Sequence, residues 1–214
     1  MMEKTLWYIA DPMCSWCWGF SPVIEKTRLE YAGKVKFELL LGGLRPGTKI
    51  PLPAAQREEI LGHWQAVHRT TGQPFRFEGA MPEGFVYDTE PASRAVVSVS
   101  LMDEEMVFPF FRRVQSAFYA EQQNVTAPDV LARLAGAVGL NEQRFLQVFE
   151  SDAARRRTLE HFQEARKRGV SGFPAVMMQG PQRYAGYALL ARGYCPYETL
   201  RSRLDAWLAV TVQD

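Results

Sequence analysis

Residues 11–20, with the sequence DPMCSWCWGF, join a strand to a helix and carry two cysteines three residues apart. Residues 5–10 before them are short, apolar and aromatic, which is typical of a buried strand. Residues 34–41 alternate between charged and apolar side chains and then end in a run of leucines before two glycines. This pattern predicts a second buried strand. The helix between the strands ends at Gly33. This order predicts a βαβ unit with parallel strands and a right-handed crossover.

Helical patterns fill the next part of the chain, and the strand signal returns only at residue 175. Apolar periodicity predicts helices at about residues 54–70, 91–103, 105–121, 128–138, 142–149 and 152–168. Thr126 and Asn141 are predicted to cap two of them. Residues 175–178 and 183–187 flank turn residues and predict a hairpin, and a last helix is predicted at about residues 196–208.

Composition and charge exclude several classes of protein. The 214 residues are 47% hydrophobic and 23% charged, as expected for one globular domain or one domain with an insertion. The 25 Lys and Arg against 24 Asp and Glu give a net charge of +1, so neither nucleic acid nor a membrane is an expected partner. The apolar run at residues 6–10 is shorter than the roughly 7–15 residues of a secretory signal, so we expect a cytoplasmic protein.

The spacing of Cys14 and Cys17 points to dithiol chemistry. The three cysteines are an odd number, which does not fit a framework of structural disulfides. If the helix begins at Cys14, its unpaired N–H groups and macrodipole favour a thiolate there, and we expect an exposed, attacking sulfur. Cys17 lies one turn further on the same face and is shielded, as a resolving thiol requires.

Two other interpretations of the cysteine pair stay open at this point. Two cysteines three residues apart in a helix can be inert buried residues. Zinc usually needs four N or S ligands, and the chain has no second Cys-x-x-Cys; His63 and His68 are five residues apart, which is poor ligand spacing. The sequence therefore predicts no metal site, and the dithiol chemistry needs no bound cofactor.

Residues 11–20 together with residues 169–174, GVSGFP, resemble the DsbA family of the thioredoxin superfamily, in particular its FrnE-like branch without a signal peptide. The resemblance implies an α/β thioredoxin fold split by an all-helical insertion. The thioredoxin-like domain would then comprise residues 1–45 and 152–214. Residues 46–151 would form the inserted helical domain.

The same resemblance implies roles for single residues. Cys14 would be the nucleophile and Cys17 the resolving thiol, and the peptide bond between Phe173 and Pro174 would be cis and face them. Strongly oxidising periplasmic members of the family have Pro-His between the cysteines, where this chain has Ser15 and Trp16. We therefore expect a couple less oxidising than DsbA, whose reduction potential is about −120 mV.

Further residues near the dithiol have more than one interpretation. Asp11 either satisfies N–H groups of the turn or relays a proton. Trp16 is the aromatic residue expected to be exposed, as a platform for an apolar peptide beside Phe173 and Pro174, whereas Trp18 and Phe20 are expected in the core. Cys195 is expected to be a small buried residue without a redox role. The aromatic residues of the irregular segment either line a groove or form a core; they are Phe75, Phe77, Phe85 and Tyr87.

The main functional hypothesis is a thiol-disulfide oxidoreductase that reduces or isomerises protein or peptide disulfides. Its redox partner would be glutathione or a thioredoxin system. One alternative is a glutathione-dependent enzyme of the kappa-class transferase and 2-hydroxychromene-2-carboxylate isomerase type, although these typically have Ser at the nucleophile position. The other alternative is a non-enzymatic, chaperone-like peptide-binding module.

Overall fold

The computed structural model describes residues 4–180 and 186–210, and a four-stranded sheet forms its centre. The strands are β1 (Thr5–Ala10), β2 (Lys36–Leu41), β3 (Ala175–Gln179) and β4 (Tyr187–Arg192). Their spatial order is β2-β1-β3-β4, with β1 parallel to β2 and β3 antiparallel to both of its neighbours. The carboxyl end of β1 leads directly into the dithiol segment.

Helices cover both faces of the sheet and form the middle of the chain. The helix that follows β1 is α1 (Ser15–Glu30). The middle of the chain contains α2 (Ala54–Thr71), α3 (Glu90–Ser100), a 3₁₀ turn (Glu104–Met106), α4 (Val107–Tyr119), α5 (Pro128–Ala137) and α6 (Glu142–Phe149). The last two helices are α7 (Asp152–Lys167) and α8 (Tyr197–Val210).

Strand residues alternate between two packed layers, as a sheet buried on both faces requires. Leu6 and Tyr8 of β1 point into the larger core, which also contains residues of α1 and of the middle helices. Ile9 points to the opposite face, where it joins Leu40 of β2 and Ala165 of α7 in a second cluster. The sheet therefore lies between α7 on one side and α1 with the helical insertion on the other.

Most predicted elements are present with similar boundaries, and one detail of the prediction is wrong. The predicted hairpin is present, because β3 and β4 pair in antiparallel orientation; most of its second strand, predicted at residues 183–187, lies outside the described part, and the described strand β4 spans Tyr187–Arg192. Thr126 does not cap α5, because its N-cap is Ala127 and the Thr126 hydroxyl instead donates to Asn124 Oδ1. Asn141 does cap α6, accepting from Arg144 N at 2.8 Å.

The chain order places α2 to α6 between the two sheet-forming parts. The division into residues 1–45 with 152–214 and residues 46–151 stays a prediction. Within residues 4–180 and 186–210, no helix combines the length and the apolar character needed to cross a membrane.

Candidate active site at the start of α1

Cys14 is the N-cap residue of α1, with extended backbone angles of φ −94° and ψ 117°. Its carbonyl accepts the first helical hydrogen bond, from Trp18 N at 3.1 Å. The first turn of α1 contains no acidic residue, so no side-chain charge there offsets the positive end of the helix dipole. Cys14 as a residue is only 7% exposed, which corrects the expectation of an exposed attacking residue.

Cys17 lies one turn further along α1 and is completely buried. Cys17 and Cys14 are both free thiols. Burial and the neighbouring Cys14 sulfur raise the pKa of the Cys17 thiol well above its usual value. Cys17 is therefore protonated in the reduced protein, and Cys14 is the more accessible of the two cysteines.

The segment before β3 closes one side of the dithiol. The Phe173–Pro174 peptide bond is cis, as predicted. The Phe173 carbonyl oxygen lies 3.7 Å from Cys14 Sγ and accepts a hydrogen bond from the thiol. The Phe173 ring packs on the backbone of Gly42, just after β2, so tightly that a Cβ there would lie 2.0 Å from two ring carbons. The backbone of Phe173, rather than its ring, is what faces the sulfur.

Asp11 is a fully buried carboxyl that holds the turn in front of the dithiol. Its Oδ1 accepts from Met13 N at 2.9 Å, and its Oδ2 accepts from Leu44 N at 2.8 Å. These bonds join the dithiol turn to the loop after β2, which supports the first of the two interpretations of Asp11. Burial raises the pKa of this carboxyl from 3.8 to about 6, although both N–H bonds act in the opposite direction.

The raised pKa of Asp11 predicts a pH-dependent contribution to stability. Folding favours the protonated carboxyl, so this contribution is fully present below about pH 3.8 and is lost as the pH rises through about 6. The shift of about two units corresponds to at most about 3 kcal/mol. The unfolding free energy of the wild type, relative to Asp11→Asn, should therefore increase from pH 7 to pH 4 in urea titrations.

Asp129→Asn is the matched control for this measurement. Asp129 is exposed and ion-paired with Arg133, and the ion pair lowers the pKa of its carboxyl. The unfolding free energy of the wild type, relative to Asp129→Asn, should therefore not increase at low pH. A stability difference between wild type and Asp11→Asn that stays flat from pH 4 to pH 7 would show that Asp11 titrates normally.

Three buried tyrosines from different elements surround the dithiol segment. Tyr8 of β1 donates to Cys17 O at 3.4 Å, and Tyr87, before α3, donates to Met13 O. Tyr119, the last residue of α4, stacks on the indole of Trp18 with 6.3 Å between ring centroids. Burial raises the pKa of all three phenols, so they stay neutral beside the cysteines.

The surface around Cys14 is partly apolar. Trp16, which was expected to be exposed, is half-buried, and its ring lies 6.1 Å from that of Tyr194, in the loop between β4 and α8. Ser15 beside it is also half-buried, and Leu44 is 42% exposed. Trp18 is buried in the core, as expected.

Sequence reasoning found the two cysteines, but it assigned no role to several of their neighbours. Tyr87 is one of the aromatic residues that the sequence assigned either to a groove or to a core. In the structure it lies in the core, and its hydroxyl donates a hydrogen bond to the dithiol turn. The others are half-buried against the core: Phe75 packs on Trp64, Phe77 stacks on Phe75, and Phe85 stacks on Phe118. Cys195 is half-buried rather than buried. No local sequence pattern indicated that Tyr8, Tyr119 and Tyr194 lie near the cysteines.

The comparison with protein families agrees with this geometry. A family model described as a DSBA-like thioredoxin domain matches residues 6–205. The chain belongs to this family. The DSBA-like assignment covers both sheet-forming parts and the helical middle, and it confirms the thioredoxin fold that the sequence predicted.

Solved structures of the DSBA-like fold resemble the whole chain. A candidate protein disulfide isomerase from Nitrosomonas europaea is 51% identical, with a TM-score of 0.92 over 98% of this chain and 99% of that chain. The cytosolic disulfide reductase DsbM from Pseudomonas aeruginosa is 25% identical, with a TM-score of 0.74 over 96% of this chain and 99% of that one. A second DsbM structure contains GSH and is 26% identical.

Curated relatives match a smaller part of the chain. The ClpXP adapter protein SpxH from Halalkalibacterium halodurans is 26% identical over 148 residues, which are 67% of this chain and 48% of that protein. The chain thus spans about half the length of the curated relatives it matches.

Proposed function

We propose that the protein is a thiol-disulfide oxidoreductase that reduces or isomerises disulfides in proteins or peptides. The observation that carries the proposal is the asymmetry of the dithiol: Cys14 retains some exposure at the N-terminus of α1, whereas Cys17 is fully buried with a raised pKa. A dithiol exchange enzyme needs one accessible attacking sulfur and one protected resolving sulfur. The family and the similarity to a candidate isomerase and a disulfide reductase support the same activity.

The reaction begins when the Cys14 thiolate attacks one sulfur of a substrate disulfide. A Cys14–substrate disulfide forms, the substrate S–S bond breaks, and the second substrate sulfur leaves as a thiolate. Cys17 then loses its proton and attacks Cys14, which releases the first substrate sulfur and leaves a Cys14–Cys17 disulfide. Two electrons pass from the protein to the substrate. In isomerisation, a substrate thiol attacks the mixed disulfide instead, and the dithiol is regenerated without net oxidation.

Reductase turnover requires a thiol that returns the two electrons. Glutathione fits this role, because two molecules can reduce the Cys14–Cys17 disulfide and leave as glutathione disulfide, and the DsbM structure with GSH supports it. A thioredoxin system would supply the same electrons. Cytoplasmic location is part of the proposal, and the cytosolic relative supports it.

The reduction potential of the Cys14–Cys17 couple tests the direction of the reaction. We expect a value closer to that of thioredoxin, about −270 mV, than to that of DsbA, about −120 mV. The measurement equilibrates the protein in glutathione buffers and follows the fraction of free thiol. A value near −120 mV would contradict reductase activity and indicate an oxidase.

Trp16 is proposed to contact the substrate, and Trp16→Ala should weaken binding without affecting the sulfur chemistry. We expect KM for a disulfide peptide to rise about threefold to tenfold with kcat nearly unchanged, the loss typical of one aromatic contact. Leu29→Ala is the control, because Leu29 is 80% exposed near the other end of α1. A large fall in kcat with unchanged KM would place Trp16 in the chemical step.

A second candidate function is an adapter or peptide-binding role without redox chemistry. The similarity to the ClpXP adapter SpxH favours it. A variant with both Cys14 and Cys17 replaced by serine separates the two: chaperone or adapter activity would persist in it, whereas disulfide reduction would disappear. The glutathione transferase alternative is less well supported, since both cysteines are present; conjugation of glutathione to an electrophile tests it directly.

A further inference from the structure

The outer edge of β2 has main-chain groups without a partner strand. In a strand paired on one side only, alternate residues direct their N–H and C=O groups away from the sheet. Lys36 N donates to Lys4 O at 2.9 Å and Gly42 N donates to Ala10 O at 2.8 Å, so even-numbered residues face β1. The odd-numbered residues Phe37 and Leu39 therefore direct their main-chain groups outward.

At both ends of the outer edge of β2, the outward-facing N–H groups already have hydrogen-bond partners elsewhere in the fold. Val35 N donates to Tyr31 O at 3.3 Å, and Leu41 N donates to His161 Nδ1 at 3.3 Å. Between them, the N–H and C=O groups of Phe37 and Leu39 have no hydrogen-bond partner among the described residues. The free section of the edge is therefore two outward-facing residues long.

A cavity of about 620 Å³ lies along this free section. Residues 36–40 form its floor, α7 forms one wall, and the 3₁₀ turn with the start of α4 forms the other. This volume lies within the range of about 300–1,000 Å³ that is usual for ligand sites. Because helices rise on both sides, a single extended chain can reach the edge more easily than a folded sheet can.

The two walls offer different charges to such a chain. Glu104 and Glu105 of the 3₁₀ turn make no ion pair among the residues that the structure describes. Arg28 of α1 stacks on the ring of Phe108, at the start of α4, at 3.9 Å. The α7 wall carries charges of both signs, but Glu160 pairs with Arg157 at 3.2 Å and Glu164 pairs with Arg168 at 2.8 Å. Lys167 on the same wall makes no ion pair among the residues that the structure describes. Side chains of an extended chain alternate between the two faces of a sheet. A basic residue would meet the glutamates, and an adjacent acidic residue would meet Lys167.

We propose that this cavity binds an extended peptide segment as a fifth strand, which hydrogen-bonds to Phe37 and Leu39 and places adjacent basic and acidic side chains against the two walls. Main-chain hydrogen bonds provide the affinity in this mode of recognition, and the alternating side chains provide the specificity. The site is separate from the dithiol and does not depend on the proposed redox activity.

The test uses a fluorescent nine-residue peptide of valine and threonine with adjacent lysine and glutamate at its centre. Fluorescence anisotropy with the full chain should show saturable binding. A second version of the peptide has every other amide nitrogen methylated, so those amides cannot donate hydrogen bonds to β2. Its affinity should be about tenfold lower or more. Replacing both Cys14 and Cys17 with serine should leave binding unchanged, which keeps this result independent of the proposed oxidoreductase.

Phe37→Pro tests the strand itself, because proline removes the outward N–H and is tolerated on edge strands. We expect about tenfold weaker binding, against at most about a twofold change for the matched variant Phe37→Val. If the proline variant does not fold, hydrogen exchange in the wild type decides: the peptide should slow exchange of the Phe37 and Leu39 amides. Absence of binding, equal binding of the methylated peptide or unchanged amide exchange would overturn the proposal, as would a dimer that closes this edge and excludes the peptide.

Discussion

Replacing Cys14 with serine should abolish disulfide exchange, whereas replacing Cys17 with serine should leave an attacking thiol that becomes trapped. A serine hydroxyl cannot replace the thiolate as nucleophile, so reduction of a disulfide substrate should fall to the background rate in Cys14→Ser. In Cys17→Ser the mixed disulfide still forms, but the internal attack that resolves it is lost. The adduct should accumulate and appear in non-reducing mass spectrometry as the protein plus one substrate thiol.

Cys195→Ser is the matched control for both variants. Cys195 is half-buried just before α8, and it has no place in the proposed exchange reaction. This variant should keep the exchange rate of the wild type. Trapped adducts on Cys195, or full activity of Cys14→Ser, would contradict the proposed mechanism.

Alkylation of the reduced protein provides an independent measurement of the two roles. Iodoacetamide at neutral pH should label Cys14 first, because Cys17 is fully buried and burial raises its pKa. Peptide mapping after short reaction times would show the order. Faster labelling of Cys17 would exchange the roles of nucleophile and resolving thiol.

The local parts of the structure could be predicted from the sequence. The pattern at residues 5–10 gave β1 with its observed bounds, and apolar periodicity placed α6 at Glu142–Phe149. The cysteine pair needed only its spacing and its position after a strand. Such features depend on residues close together in the chain, so a short stretch of sequence is enough to predict them.

The parts that could not be predicted depend on contacts between distant segments. Cys14 was expected to be exposed, but its burial depends on the Phe173 segment, 159 residues away. Asp11 was correctly placed at a turn, yet its second partner, Leu44 N, follows a different strand. Tyr119 reaches the dithiol only because α4 packs there. A single sequence contains no local pattern for such contacts.

The position of β4 shows a different limit. The hairpin predicted from the turn-forming residues 179–182 is confirmed by the antiparallel pairing of β3 with β4, whereas residues 181–185 lie outside the described part. The second strand was predicted directly after the turn, at residues 183–187. The observed strand starts at Tyr187 and pairs Gln179 with Tyr187, with a register shift between Val176 and Met177. Composition marks where a turn lies, but pairing across the sheet decides where the returning strand begins.

Gly42 is a second position where one small change should have a large effect. A Cβ on this residue would lie 2.0 Å from two carbons of the Phe173 ring, and real Cβ contacts are essentially never that short. In Gly42→Ala either the ring or the loop after β2 must therefore move. Overpacking of this kind costs about 1–3 kcal/mol of unfolding free energy.

The same displacement should reach the dithiol, because Phe173 O accepts the hydrogen bond from Cys14. We therefore expect Gly42→Ala to reduce the rate of disulfide exchange as well as stability, even at temperatures where the variant is fully folded. Guanidinium titrations and exchange kinetics on the same preparation measure the two effects separately.

Gly62→Ala is the matched control, because Gly62 lies on the exposed side of α2 and an added Cβ would meet no atom within 4 Å. Alanine is favoured over glycine inside a helix, so this variant should gain up to about 1 kcal/mol and keep its exchange rate. If Gly42→Ala lowers the unfolding free energy and Gly62→Ala raises it, the loss in the first variant comes from a steric contact and not from a general backbone preference for glycine or alanine. A Gly42→Ala variant as stable and as active as the wild type would show that the Phe173 ring does not press on this loop, and that the carbonyl beside Cys14 is held in place by something else.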